Sequence, residues 1–177
     1  MRKVHYVLAE LEDQDVQWLA RAGQRRQVSA GTLLLRQDQR SQAVFIILAG
    51  ALDVDLAGIG RVALLHPGEM LGEMSFVDNS GHSATIRAAE DSLVLELANT
   101  TLLEKVETDA AFGLRFYRAI ALFLADRLRT TQQRKAKGAS LALPSGQSET
   151  TQDEAAATPG AERFDRMIRL LAAAPEA

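Results

Sequence analysis

The sequence predicts an α+β fold: an antiparallel, double-layered β-roll of jelly-roll type with a short N-terminal helix and a long C-terminal dimerisation helix. Two observations predict it. From Arg25 onward, short β-rich runs recur between turn residues, the cadence of a roll. After Leu97 the apolar residues change from alternation to helical spacing, so the roll ends there and helices cover it.

Taken in order, Asp13 offers an N-cap carboxylate to a helix with Val16, Leu19 and Ala20 at helical spacing, and Gly23 stops it. Strands are read at 27–28, 32–35, 44–48, 51–56, 61–65, 84–88 and 93–97. Gly31, Asp38 to Ser41, Gly50, Gly58 to Gly60 and Pro67-Gly68 punctuate them. Glycines at 58 and 60 between two apolar runs read as a hairpin tip. Asn99 caps a helix through Leu103, and Asp109 caps a longer one to about Lys135.

Between Ala119 and Ala125 that long helix is apolar on every side, which calls for two neighbours. Leu114, Tyr117, Ala121, Leu124, Leu128 and Thr131 alternate at three and four, the seam of a helix pair, while Phe116, Ile120 and Phe123 occupy another face. One face is expected to pack on the roll and the other on a twin, giving a homodimer. The alternative is a fully buried helix of a monomer. The chain thus divides into 1–137, roll plus long helix; 138–160, a linker; and 161–175, a short amphipathic helix. The linker is Ala, Ser, Thr, Gln, Glu, Pro and Gly with hardly an aromatic, too little apolar surface to order itself. Phe164, Met167, Ile168 and Leu171 form one stripe on the last helix, which either docks a protein partner or folds back on its own domain. Removal of 138–177 is expected to leave the roll folded.

Composition narrows the function classes. The 177 residues allow one domain plus a tail. No cysteine is present, and His5, His66 and His82 are scattered, so disulfides and a spaced metal motif are excluded. A net charge of −3 argues against a general grip on nucleic acid. No apolar run reaches the roughly 18 residues of a membrane span, and the start lacks a signal-peptide pattern, so a cytoplasmic protein without membrane contact is expected. No nucleophile–base pair or carboxylate constellation stands at meaningful spacing, which points away from an enzyme.

The segment from Pro67 to Thr85 carries the chemistry. There Gly72 opens a short helix at Glu73, and the unpaired N–H groups of a helix start attract an anion, most naturally a phosphate. The plain alternative is that Gly72 only turns a corner.

In combination, Gly31, the strand and turn from Val44 to Gly50, Gly68, Gly72-Glu-Met, Ser83-Ala-Thr85 and the helix from Phe116 to Arg129 occur in an order that resembles the cyclic-nucleotide-binding domain family, over about residues 10–135. The resemblance implies a phosphate-binding cassette. Within it Glu73 accepts a hydrogen bond from the ribose 2′-hydroxyl, Ser83 meets the cyclic phosphate, and Gly72, Met74, Ser75 and Ala84 add neighbouring contacts. Thr131 matches a base-contacting position, or is a plain surface residue. At position 82 family members that bind cyclic nucleotides carry an arginine, and this chain carries His82. Arginine holds a phosphate bidentately at any cellular pH, whereas an imidazole is mostly neutral near pH 7. Strand alternation puts His82, Ala84 and Ile86 on one face and Arg87 on the other, so Arg87 is no substitute.

The resemblance therefore implies a regulatory ligand-sensing module that binds a cyclic nucleotide (cAMP, cGMP or a cyclic dinucleotide) or a related anionic nucleotide and signals to a protein partner through the long helix. No other cofactor is implied. The alternative is a degenerate roll that serves as a ligand-free dimeric interaction domain. Too few residues come after the long helix for a DNA-recognition domain, so no DNA binding is expected.

Overall fold

The computed structural model describes residues 5–136 and 159–173. Nearly all of the linker read at 138–160 therefore lies outside the described residues. The elements run α1 (His5–Glu10), α2 (Asp13–Ala22), β1 (Gln24–Val28), β2 (Leu33–Leu35), β3 (Ala43–Ala49), β4 (Leu52–Leu56), β5 (Gly60–Leu65), β6 (Met70–Leu71), α3 (Glu73–Asp78), β7 (Thr85–Ala88), β8 (Ser92–Ala98), α4 (Asn99–Thr108), α5 (Ala110–Ala136) and α6 (Pro159–Ala173).

The strands form two four-stranded antiparallel sheets, ordered β1-β8-β3-β6 and β2-β7-β4-β5. Strand β3 reads as a nearly unbroken apolar run because both of its faces are buried. Val44, Ile46 and Leu48 point to a core shared with the helices. Phe45 and Ile47 point the other way, into a second core with Leu52, Val54, Ile86 and Ala88 of the facing sheet. This places the roll between its helical cover and its outer sheet, whose other face carries polar side chains such as Asp53, paired to Arg61 at 3.1 Å.

Long helix α5 lies on the helical side of the roll. Phe112, Phe116, Ala119, Ile120 and Phe123 are buried there, and Phe112 and Phe116 stack with centroids 5.4 Å apart. Asp109 caps the helix as the sequence predicts, its Oδ1 accepting the Phe112 N–H at 2.9 Å. Helix α2 is tied to α5 by Arg115, which donates to both oxygens of buried Asp15 at 2.7 and 2.9 Å.

Several sequence expectations need correction. The N-cap of α2 is Glu12, one residue before Asp13, and Asp15 accepts the Glu12 N–H at 2.8 Å. Asn99 is the first helical residue of α4; its side chain instead donates to the Ser41 carbonyl, and the helix continues to Thr108. Helix α1 and the two-residue strand β6 were not expected at all; each is too short to show a period.

The largest correction concerns the C-terminal helix. Between the two expectations for it, α6 folds back on its own chain: Met167 and Leu171 are buried in the core shared with Val7, Leu8, Leu11 and Val16. Arg163 donates to the Leu8 and Ala9 carbonyls at the end of α1 at 3.1 and 2.7 Å, and Arg166 pairs with Asp13. Loss of 138–177 would therefore take Met167 and Leu171 out of this core.

Candidate functional site

One pocket collects most of the residues singled out in the sequence. Its lining includes Gly72, Glu73, Met74, Ser75, His82, Ser83 and Ala84, on a floor of Leu35, Val54, Leu65, Leu71 and Ile86, and it encloses about 390 Å³ counting the part open to solvent.

The local sequence builds it in a few steps. Strand β6 is held against β3 through Phe45–Leu71 and Ile46–Met70, so Gly72 must turn sharply into α3. It does so at φ +85°, and a Cβ there would stand 2.8 Å from the Ala43 carbonyl oxygen. Only glycine meets both demands. The Gly72 carbonyl accepts the Phe76 N–H at 3.0 Å, so the helix starts at Glu73, and its first residues, Glu73, Met74 and Ser75, line the pocket. On the far rim, His82 is anchored by backbone bonds to the 37–39 turn: Asp38 N–H to the His82 carbonyl and His82 N–H to the Gln39 carbonyl, both 2.9 Å. Burial then alternates through His82, Ala84, Ile86 and Ala88, all inward, while Arg87 turns out and donates to the Gly31 carbonyl at 2.6 Å.

The electrostatics centre on Glu73. Its side chain is 3% exposed and receives a hydrogen bond from Arg127 at 3.0 Å. Burial pushes the Glu73 carboxyl above its usual range, and Arg127 opposes that rise. Burial alone moves His82 below the usual histidine range. Its Nε2 is buried without a hydrogen-bond partner. The Ser83 hydroxyl lies 3.7 Å from the Met74 sulfur, while the Ser75 hydroxyl donates to the Ser80 carbonyl at 2.6 Å.

Two residues are not where the resemblance places them, or were not seen. Thr131 does not line this pocket; it is exposed, and its hydroxyl donates to the Arg127 carbonyl at 2.9 Å. Arg127 does line it, and sequence reasoning missed it as a site residue. It sits 54 positions from Glu73, and no local spacing links a helix residue to a loop that far upstream. Along the expected dimer seam, Leu114, Tyr117, Ala121 and Leu128 are exposed on α5, and Leu124 is partly packed against the core.

A two-sheet roll whose β6–α3 corner and β7 entrance wall a pocket, with Arg127 of the long helix in its lining, has the architecture of a cyclic nucleotide-binding domain. Residues 25–109 match the family model of the cyclic nucleotide-binding domain. A cyclic nucleotide-binding domain of Methylobacillus flagellatus superposes with a TM-score of 0.68 at 19% identity, covering 82% of this chain and 85% of that one. The cyclic AMP receptor protein of Thermus thermophilus is 35% identical over 78 residues, 42% of this chain and 36% of that protein. An uncharacterized NTE family protein of Mycobacterium tuberculosis is 28% identical over 119 residues, 67% of this chain. The chain spans about a fifth of the length of that relative, 20%.

Proposed function

We propose that the chain is a regulatory sensor that takes an anionic nucleotide, of cyclic mononucleotide or cyclic dinucleotide type, into the pocket and reports occupancy through α5. One observation carries this reading: the pocket that joins Gly72, Glu73, His82 and Ser83 also contains Arg127, a residue of the long helix. A ligand that touches Glu73 competes for the Arg127 hydrogen bond, so binding and the position of α5 are linked through one contact. The Thermus relative, by its name a cyclic AMP receptor, supports the ligand class. Exposed Leu114, Tyr117, Ala121 and Leu128 supply a stripe on α5 that fits a homodimer.

Thermal unfolding in the presence of cAMP, cGMP or a cyclic dinucleotide tests the proposal. A ligand at 100 times its dissociation constant stabilises the fold by about 2.7 kcal/mol, a rise of several degrees for a chain of this size. An unchanged melting temperature with all of these at millimolar concentration leaves the ligand-free interaction domain as the better reading.

A further inference from the structure

The charges in the pocket do not balance once an anion enters. Arg127 is the only arginine or lysine among its lining residues, and it is already paired with buried Glu73. A phosphate in the pocket makes two anions for one cation, beside a carboxylate whose side chain is 3% exposed. Buried charges must be paired, and an unpaired one is strongly unfavourable. The polar atom left over is His82 Nε2, in a side chain more than nine-tenths buried, lining the same cavity and without a partner.

Resting on the sensor reading above, we propose that the pocket admits a phosphate-bearing ligand together with one proton, which His82 takes up to become the second cation. Two pairs then replace one: Arg127 with Glu73, and the His82 imidazolium with the ligand phosphate. The proton comes from solvent and returns to it when the ligand leaves, so His82 sets both the charge of the acceptable ligand and the pH at which it binds.

The charged groups around His82 agree with this assignment. Glu73 of α3 and Arg127 of α5 line the same pocket. From the turn packed on its backbone, Arg36, Asp38 and Arg40 are exposed to solvent and screened, and Arg87 on β7 points to the opposite face. In the free protein burial is the cause that holds the imidazole below the usual histidine range, which favours its neutral form. The ligand phosphate is what makes protonation favourable, and uptake therefore persists through neutral pH.

Calorimetric titration of the full chain with cAMP, cGMP and a cyclic dinucleotide, in buffers of different ionisation enthalpy, tests it. The expected result is uptake of about one proton per ligand and a dissociation constant that tightens up to about tenfold per pH unit on acidification between roughly pH 8 and 7. His82→Arg should bind with no proton uptake, and His82→Gln should bind more weakly, also without uptake. Wild-type binding without proton uptake overturns the inference and leaves the sensor reading intact; so does uptake retained in His82→Gln, which puts the proton on Glu73. Binding by His82→Arg alone, with none by the wild type at about pH 6, also removes the role of protonated His82. If neither protein binds any of the three, the sensor reading fails with it.

Discussion

Gly72 and Glu73 stand side by side and show how much of the site depends on single residues. Gly72 has φ +85° and a carbonyl oxygen 2.8 Å from where its Cβ would be, so Gly72→Ala should lower stability by about 1–3 kcal/mol in urea titration. Glu73 gives a signed pH effect. Its carboxyl is raised, chiefly by burial. A raised carboxyl contributes stability that is fully present below the unfolded pKa and lost as pH rises through the folded one. Glu73→Gln does not titrate, so the stability of the variant relative to wild type should improve as pH rises from below the ordinary carboxylate range. A relative stability that worsens over that rise contradicts the burial argument. His82 has the opposite sign: lowered by burial, it contributes stability above its unfolded pKa that is lost as pH falls through the folded value. These residues were singled out by the family resemblance, carried by Gly72-Glu-Met and Ser83-Ala-Thr85 in order along the chain. Arg127 was not, because its role exists only after α5 has been laid over the pocket.

Among the elements, α6 carries the sharpest expectation. Its stripe of Phe164, Met167, Ile168 and Leu171 is visible in the sequence, but periodicity says that a face is buried and not against what. The answer, α1 and α2, was hidden because α1 is six residues long and shows no period of its own. Met167 is fully buried, so Met167→Ala should cost about 2–5 kcal/mol, and a chain ending at Ala136 should melt at a distinctly lower temperature than the full protein. Equal melting temperatures would mean that α6 does not hold α1 in solution. The strands were easier to read. Burial on one or both faces writes itself into alternation or into runs such as Val44 to Leu48, whereas β6, only two residues long, leaves no such trace.

Across the whole molecule, contacts run from the pocket through α3 and α5 to the outside surface. Phe76 of α3 stacks on Tyr117 of α5 with centroids 6.2 Å apart, and Tyr117 belongs to the exposed stripe. A homodimer along that stripe would therefore sense α3 directly. Leu124 is a poor probe of it, because it also packs on the core. Leu114 and Leu128 are 73% and 59% exposed, so Leu114→Glu and Leu128→Glu should leave the monomer folded and split the dimer in sedimentation; a wild type that sediments as a monomer at micromolar concentration removes the dimer. Everything proposed for the molecule turns on the corner at Gly72 and the entrance of β7 holding an anionic nucleotide beneath α5. Backbone amide chemical shifts, recorded during titration with cAMP and with cGMP, locate the ligand residue by residue. The largest changes are expected at Gly72 to Ser75, His82 to Ala84 and Arg127, and they should saturate with ligand. Binding whose shift changes lie on another face of the roll, with those amides unmoved, would contradict it.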